Sequence, residues 1–267
     1  MKAFCQQKDF LDALNIVGRA ISAQGTLPIL NNILIRAQGK NLFFASTNLE
    51  VAIRYFIECD VRNEGAITVP AKLLINYISL LSDEKLEITT EEGLHFSIKS
   101  RSSQTKIKGV HADEFPVIPE IEKGIHLDIP AQELQGAMDH VVFAAAQNTS
   151  RPVLSGILFS LEKNILKLVS TDSYRLAEMK ITLKDSVSEK LQCIIPSKTA
   201  AEVGKLAARS PEGSIQVEIS KNQALFKIGN IDLISRLIDG KFPEYERIIP
   251  KTSKTKVEAL NSALSQV

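Results

Sequence analysis

The chain of 267 residues is 44% hydrophobic and 24% charged, and its 32 Lys and Arg stand against 31 Asp and Glu, a formal charge of +1. That is the composition of a globular protein with enough chain for about two domains, and without bulk basicity any nucleic-acid binding must come from where the charges are placed. No apolar run approaches the ~20 residues that cross a bilayer, and the opening MKAFCQQKDF carries charge where a signal peptide is apolar, which points to a cytoplasmic location.

Phe10, Leu14, Val17 and Ile21 recur at helical spacing and predict an amphipathic first helix. TLPILNNIL (26–34) follows, and LFFASTN (42–48) reads as a strand running into a turn. Pro70-Ala71-Lys72 opens a second helix, because the N–H that proline lacks has no partner in a first helical turn anyway. LEITTEEGLHFSIKS (86–100) is a hairpin with Glu91, Glu92 and Gly93 at its turn. FPVIPEIEKGIH (115–126), with its prolines, glycine and charges, reads as a linker and puts a boundary near residue 124.

The series then begins again. Leu134, Met138, Val141 and Ala145 repeat the first apolar stripe at an offset of 124, and SRPVLSGIL (150–158) answers TLPILNNIL, with Pro152 on Pro28 and Leu154 on Leu30. LKLVSTD (166–172) answers LFFASTN, so Ser170 and Thr171 fall on Ser46 and Thr47. Pro196-Ser197-Lys198 opens the counterpart helix, IQVEISKNQALFKIG (215–229) is the counterpart hairpin turning at Lys221 and Asn222, and Phe242-Pro243 closes the copy. A drift of a few residues in the offset is what loop insertions produce. The expectation is an α+β protein of two copies of one unit, residues 1–124 and 125–250, each with two helices packed on antiparallel strands. In residues 251–267 the polar KTSKTK precedes VEALNSALSQV, which reads as the opening of a third copy with Asn261 capping a short helix.

Nothing in the sequence suggests catalysis. Cys5, Cys59 and Cys193 are far apart, with no CxxC and no histidine at ligand spacing, so neither a disulfide framework nor a structural zinc is expected. His95, His111, His126 and His140 are scattered, and no glycine-rich phosphate cradle occurs. Asp83-Glu84 and Glu91-Glu92 sit in predicted turns, where solvated charge is the ordinary explanation. No cofactor, metal or enzymatic activity is expected.

TLPIL, Ser150-Arg151-Pro152-Val153-Leu154, Thr171-Asp172-Ser173-Tyr174-Arg175-Leu176-Ala177 and Asp239-Gly240-Lys241-Phe242-Pro243-Glu244-Tyr245 together resemble the bacterial DNA polymerase III beta subunit, the replicative sliding clamp. The resemblance is collinear over essentially the whole chain. It implies tandem clamp domains, with two chains of three such domains each closing a homodimeric ring on duplex DNA without reading its sequence; here the third domain is only begun. It places Arg19, Gln24, Lys72, Arg151, Lys198, Lys205 and Arg209 at or near DNA. Relatives carry an arginine where this chain has Gln24, a contact that keeps a hydrogen bond but loses its charge.

The resemblance also implies a hydrophobic pocket for short linear motifs of the polymerase catalytic subunit, the clamp loader and repair proteins. Carried over position by position, the pocket comprises Leu154, Thr171, Tyr174, Arg175, Leu176, Pro243, Arg247 and Ile248. An apolar floor from Leu154, Leu176, Pro243 and Ile248 would take a Leu or Phe anchor, with Thr171 and the arginines offering polar contacts. Glu50 and Val51 stand where the second copy has Tyr174 and Arg175, so the first copy is expected to lack the site. The alternative expectation is a truncated clamp that closes no ring and acts only as a peptide-binding adaptor. QTKIK (104–108) reads as an edge strand whose polar residues blunt self-pairing, and residues 1–267 are expected to be monomeric.

Overall fold

The computed structural model describes residues 1–21, 27–82, 84–121, 124–147, 151–186, 190–210, 212–250 and 252–264. The first half begins with β1 (Lys2–Gln6) and α1 (Gln7–Val17), then β2 (Asn32–Gln38), β3 (Asn41–Thr47), β4 (Val51–Glu58), β5 (Asp60–Asn63) and β6 (Gly65–Pro70). It continues with α2 (Ala71–Ser79), β7 (Lys85–Glu91), β8 (His95–Lys99) and β9 (Gln104–Lys108). The second half runs β10 (Ile125–Pro130), α3 (Ala131–Val141), β11 (Gly156–Glu162), β12 (Ile165–Thr171), β13 (Leu176–Thr182), β14 (Leu191–Pro196), α4 (Ser197–Ala207), β15 (Ser214–Ile219), β16 (Gln223–Ile228) and β17 (Ile231–Arg236). A single turn of helix, α5 (Asn261–Leu264), follows, with Asn261 its first residue.

The apolar stripes drive the helices. Phe10, Leu14 and Val17 are buried on α1, and Leu134, Met138 and Val141 on α3. Each stripe outruns its helix: α1 tightens into a 3-10 turn at Gly18–Ala20 and α3 into one at Val142–Ala144, so Ile21 and Ala145 lie just beyond. Pro70 and Pro196 each end a strand and cap the helix that follows. Gly204 lets α4 approach α3, because a Cβ there would lie 3.1 Å from the Met138 Cβ.

The sheets are not apportioned one to each copy. A five-stranded sheet has the order β5-β1-β7-β8-β9, a four-stranded sheet β13-β12-β11-β14, and an eight-stranded sheet β10-β15-β16-β17-β4-β3-β2-β6. In the eight-stranded sheet each half of the chain supplies four strands, and the halves meet where β17 pairs antiparallel with β4, Leu233 opposite Ile53 and Asp232 opposite Arg54. The Arg54 guanidinium holds the Asp232 carboxylate at 3.0 Å across this junction. Buried side chains from both halves form one cluster, from Phe10 and Phe44 through to Phe159 and Phe226. Phe10 meets Phe44 edge to face with centroids 5.3 Å apart, and Phe159 meets Phe226 at 6.5 Å.

The repeat reaches the level of hydrogen bonds. Ser46 donates its hydroxyl to the Val17 carbonyl, and Ser170 donates to that of Val141. Thr47 donates to the Val51 carbonyl at 2.9 Å and accepts from the Leu49 N–H, while Thr171 donates to the Arg175 carbonyl at 2.7 Å and accepts from the Ser173 N–H. Asn48 Oδ1 accepts from the N–H groups of Glu50 and Val51, as Asp172 Oδ1 does from those of Tyr174 and Arg175. Leu49 and Ser173, with φ of 74° and 81°, occupy the left-handed region at the same place in the turn.

Candidate functional site

Two regions gather the residues singled out in the sequence. The first is the polar face of the helices. Lys72 and Lys198 are each the second residue of their helix, α2 and α4, and both are exposed. With Arg151 they have no ion pair or side-chain hydrogen bond among the described residues, so their charges are free to meet an anion. Gln24 lies outside the described residues.

The other three cations are engaged; local sequence signals only the Lys205–Glu202 pair, three residues apart on α4. Arg19 contacts Glu202 Oε2 at 2.9 Å and Lys205 contacts Glu202 Oε1 at 2.7 Å, so one carboxylate holds both. Arg209 contacts Asp12 Oδ2 at 2.5 Å. Two of these pairs cross between the halves of the chain in opposite senses, Arg19 from the first to Glu202 on α4 and Arg209 from the second to Asp12 on α1. Burial pushes the Glu202 carboxyl up, but hydrogen bonds from Lys205 and Arg19 outweigh it and hold the group below its ordinary range. Ion pairs this open to water are worth about 0–1 kcal/mol, so a phosphate can compete for the cations.

The second region surrounds the turn between β12 and β13. Leu158, Val169, Ile194, Phe242 and Tyr245 form a small buried cluster against which Val153, Leu176 and Ile238 pack half-buried. Tyr245 anchors it by donating its hydroxyl to Glu178 Oε2 at 2.6 Å. Burial first, and then the Glu178 carboxylate, push the phenol pKa up. Gly240, at φ 131°, closes the loop over this cluster, where a Cβ would meet Val153 Cγ1 at 2.6 Å. Tyr174 is 98% exposed and Ile248 68% exposed, and Pro243 and Arg247 are also open to solvent.

Several expected lining roles change in this geometry. Leu154 is only 4% exposed and is not on the surface, nor is it among the residues of this cluster. The Thr171 hydroxyl donates its proton inside its own turn, to the Arg175 carbonyl, and accepts there from the Ser173 N–H. Arg175 is held by Asp172 at 3.0 Å and lies 5.4 Å from the Phe143 ring centroid, and Arg247 is held by Glu244 at 2.8 Å. Asp172 is kept below the usual carboxylate range, chiefly by the backbone N–H groups of Tyr174 and Arg175. Its contribution to turn stability is present above the unfolded carboxyl pKa of about 3.9 and is lost as pH falls through the depressed folded value. Val153, Ile238, Phe242 and Tyr245 do not stand out in the sequence as lining residues, although the Phe-Pro segment carries two of them.

Two adjoining cavities lie at the β4–β17 junction, under the segment from Phe115 to Pro119. One of about 770 Å³ is lined by Phe43, Phe56, Arg36 and Arg54, the other, of about 740 Å³, by Thr47, Leu49, Glu50 and Val51, and both by Pro116, Val117 and Ile118. A concavity therefore lies beside the first-copy turn, walled on its far side by Ser220, Lys221, Asn222 and Gln223 of the second copy. Among the described residues no group of three or more His, Cys, Asp or Glu is placed to hold a metal ion, and no helix is long and apolar enough to cross a membrane.

Tandem α+β units joined through a shared sheet, with paired helices presenting cations, define a clamp-type protein. Sequence profiles of the DNA polymerase III beta subunit match twice, its N-terminal domain over residues 1–119 and its central domain over residues 128–244. The beta sliding clamp of Staphylococcus aureus is 31% identical over 270 residues, covering 98% of this chain and 71% of that protein. The crystal structure of the Bacillus subtilis DNA polymerase sliding clamp superposes with a TM-score of 0.92 at 28% identity, covering 95% of this chain and 69% of that one. The sliding clamp of Pseudomonas aeruginosa bound to griselimycin superposes with a TM-score of 0.91, also at 28% identity, with the same coverage. The chain belongs to the DNA polymerase III beta subunit family, the bacterial sliding clamps, which are non-catalytic processivity factors of DNA replication.

Proposed function

We propose that this chain holds duplex DNA without reading sequence and docks replication and repair proteins through the surface around Leu176. The observation that carries the DNA reading is the pair Lys72 and Lys198, exposed, unpartnered among the described residues and at matching positions of α2 and α4. Arg151 is free in the same sense. Diffuse cations of this kind neutralise phosphates and discriminate little between bases. Arg19, Lys205 and Arg209 form a second set, released when phosphate displaces Glu202 and Asp12.

The second set makes a specific test. Asp12→Asn removes the carboxylate on Arg209, and Glu202→Gln removes the one shared by Arg19 and Lys205. Each variant is expected to bind duplex DNA several-fold more tightly at low salt and to steepen the salt dependence, by about 0.9 in slope for each additional phosphate neutralised. Titrations of fluorescent duplexes over a range of salt measure both. Unchanged affinity and slope in both variants would remove these three cations from the DNA surface.

The docking surface supports the partner reading because it combines an apolar floor, Leu176 with Val153 and Ile238 over the Phe242–Tyr245 cluster, with an open rim at Tyr174, Pro243 and Ile248. Its expected occupants are short Leu- and Phe-bearing motifs of the polymerase catalytic subunit, the clamp loader and repair proteins. The division into clamp domains at 1–124 and 125–250 fits the point at which the repeat restarts.

A second reading, a peptide-binding adaptor that encircles no DNA, draws on the polar edge of β9, one of the six edge strands of the three sheets. On β9, Lys106 pairs with Glu91 at 2.5 Å and Lys108 donates to the Gly93 carbonyl, which keeps that edge polar. A polypeptide of residues 1–267 is expected to sediment as a monomer at micromolar concentration. A tight dimer would show that these two copies carry a self-association surface and would count against the adaptor reading.

A further inference from the structure

The three cysteines are scattered in the chain, but the fold brings two of them together. Strands β1 and β5 pair antiparallel with Ala3 opposite Val61 and Phe4 opposite Asp60, and Cys5 and Cys59 are the next residues along the two chains from that last pair. A disulfide spans Cα atoms about 4.4–6.8 Å apart, a separation open to residues that adjoin a directly opposed antiparallel pair, itself about 4.5–5.5 Å apart. Both side chains face the same way. Ala3 and Cys5 are buried in the core cluster, and Val61 and Cys59 pack against that cluster from the neighbouring strand. The Cys59 thiol is close enough to Cys5 to add to the upward push that burial exerts on the Cys5 thiol.

Cys59 also sits at a corner. It is the single residue between β4, in the eight-stranded sheet, and β5, in the five-stranded one, and its N–H donates to the Lys40 carbonyl at 2.8 Å. A bond from Cys59 to Cys5 would staple the two sheets of the first copy where the chain passes between them.

We propose that Cys5 and Cys59 form a modification site that reacts with small-molecule disulfides to give a cross-strand protein disulfide. Cys59, half-buried, reacts first on grounds of access, and Cys5, at 6% exposure, completes the reaction. The Cys59 thiolate attacks one sulfur of the small disulfide, forming a mixed disulfide and expelling one small thiolate. The Cys5 thiolate then attacks the Cys59 sulfur, the mixed S–S bond breaks, and the second small thiolate leaves. Two protein thiols lose two protons and two electrons in all, and the small disulfide is reduced to two thiols. Burial, and then Asp60, push the Cys59 thiol up to about 11. Only roughly one molecule in ten thousand is then the reactive thiolate at pH 7. The pair is therefore slow to react at neutral pH, and the rate is expected to rise about tenfold for each pH unit over the neutral to mildly alkaline range.

The test uses the full chain and oxidised glutathione at about pH 9, followed by alkylation, intact mass and peptide mapping. The expected product has lost about 2 Da, carries a Cys5–Cys59 link, keeps Cys193 alkylatable, and unfolds at higher denaturant than the reduced chain. Cys59→Ser and Cys5→Ser should each give no link, and Cys5→Ser should accumulate a glutathione adduct on Cys59. A persistent adduct on Cys59 in the unsubstituted chain, a link that uses Cys193, three alkylatable thiols after oxidation, or loss of the folded state on linking would each overturn the proposal.

Discussion

Replacing Leu176 by aspartate is expected to lower the affinity for a peptide with spaced Leu and Phe anchors by at least about 100-fold. Leu176 begins β13 and packs half-buried against the Leu158, Val169, Ile194, Phe242 and Tyr245 cluster. A carboxylate in its place would lie against that apolar cluster, and burying it under a ligand costs several kcal/mol. About 2.7 kcal/mol already corresponds to 100-fold. Since Leu176 is only partly buried and the first copy is remote from it, the fold is expected to survive, as circular dichroism would show. A fluorescently labelled peptide titrated against both chains measures the effect, and equal affinity would remove the surface around Leu176 from partner docking.

Phe226→Ala should be the more damaging change to stability, by about 3–5 kcal/mol. Phe226 lies on β16, is fully buried, and meets Phe159 of β11 edge to face. Its removal leaves a void between the eight-stranded and four-stranded sheets of the second copy, which the paired strands around it cannot collapse to fill. Urea unfolding should show a lower midpoint with little change in slope. A loss below about 1 kcal/mol would mean that the ring is not the packing element that the geometry makes it.

The repeat is legible in the sequence because it rests on local chemistry. Helical stripes at Phe10, Leu14 and Val17 and at Leu134, Met138 and Val141, prolines that open helices, and strand endings at Ser46-Thr47 and Ser170-Thr171 are all encoded within a few residues of where they act. The shared sheet is not legible, because whether β4 pairs with β17 depends on edges far apart in sequence that carry no local mark. The cations on the helices can be named from the sequence, but not their partners: Arg19 and Glu202, or Asp12 and Arg209, meet only once the two copies are joined. Thr171 suits a ligand contact by residue type, yet its hydroxyl proton is taken by its own turn, just as that of Thr47 is in the other copy. Cys5 and Cys59 look isolated in the sequence for the same reason as the ion pairs, since the pairing of β1 with β5 rather than spacing brings them near each other.

Sequence-independent holding of DNA by the helix cations is decided by duplex binding of the chain and of its Lys72→Ala/Lys198→Ala variant, on two unrelated sequences over a range of salt. Both residues are exposed and partnerless among the described residues, so their loss should not disturb the fold. The parent is expected to bind the two duplexes with the same affinity, falling steeply with salt. The variant is expected to bind both more weakly to the same extent, with a salt slope shallower by up to about 1.8 because two fewer phosphates are neutralised. A marked preference for one duplex, or an unchanged slope in the variant, would contradict this function for Lys72 and Lys198.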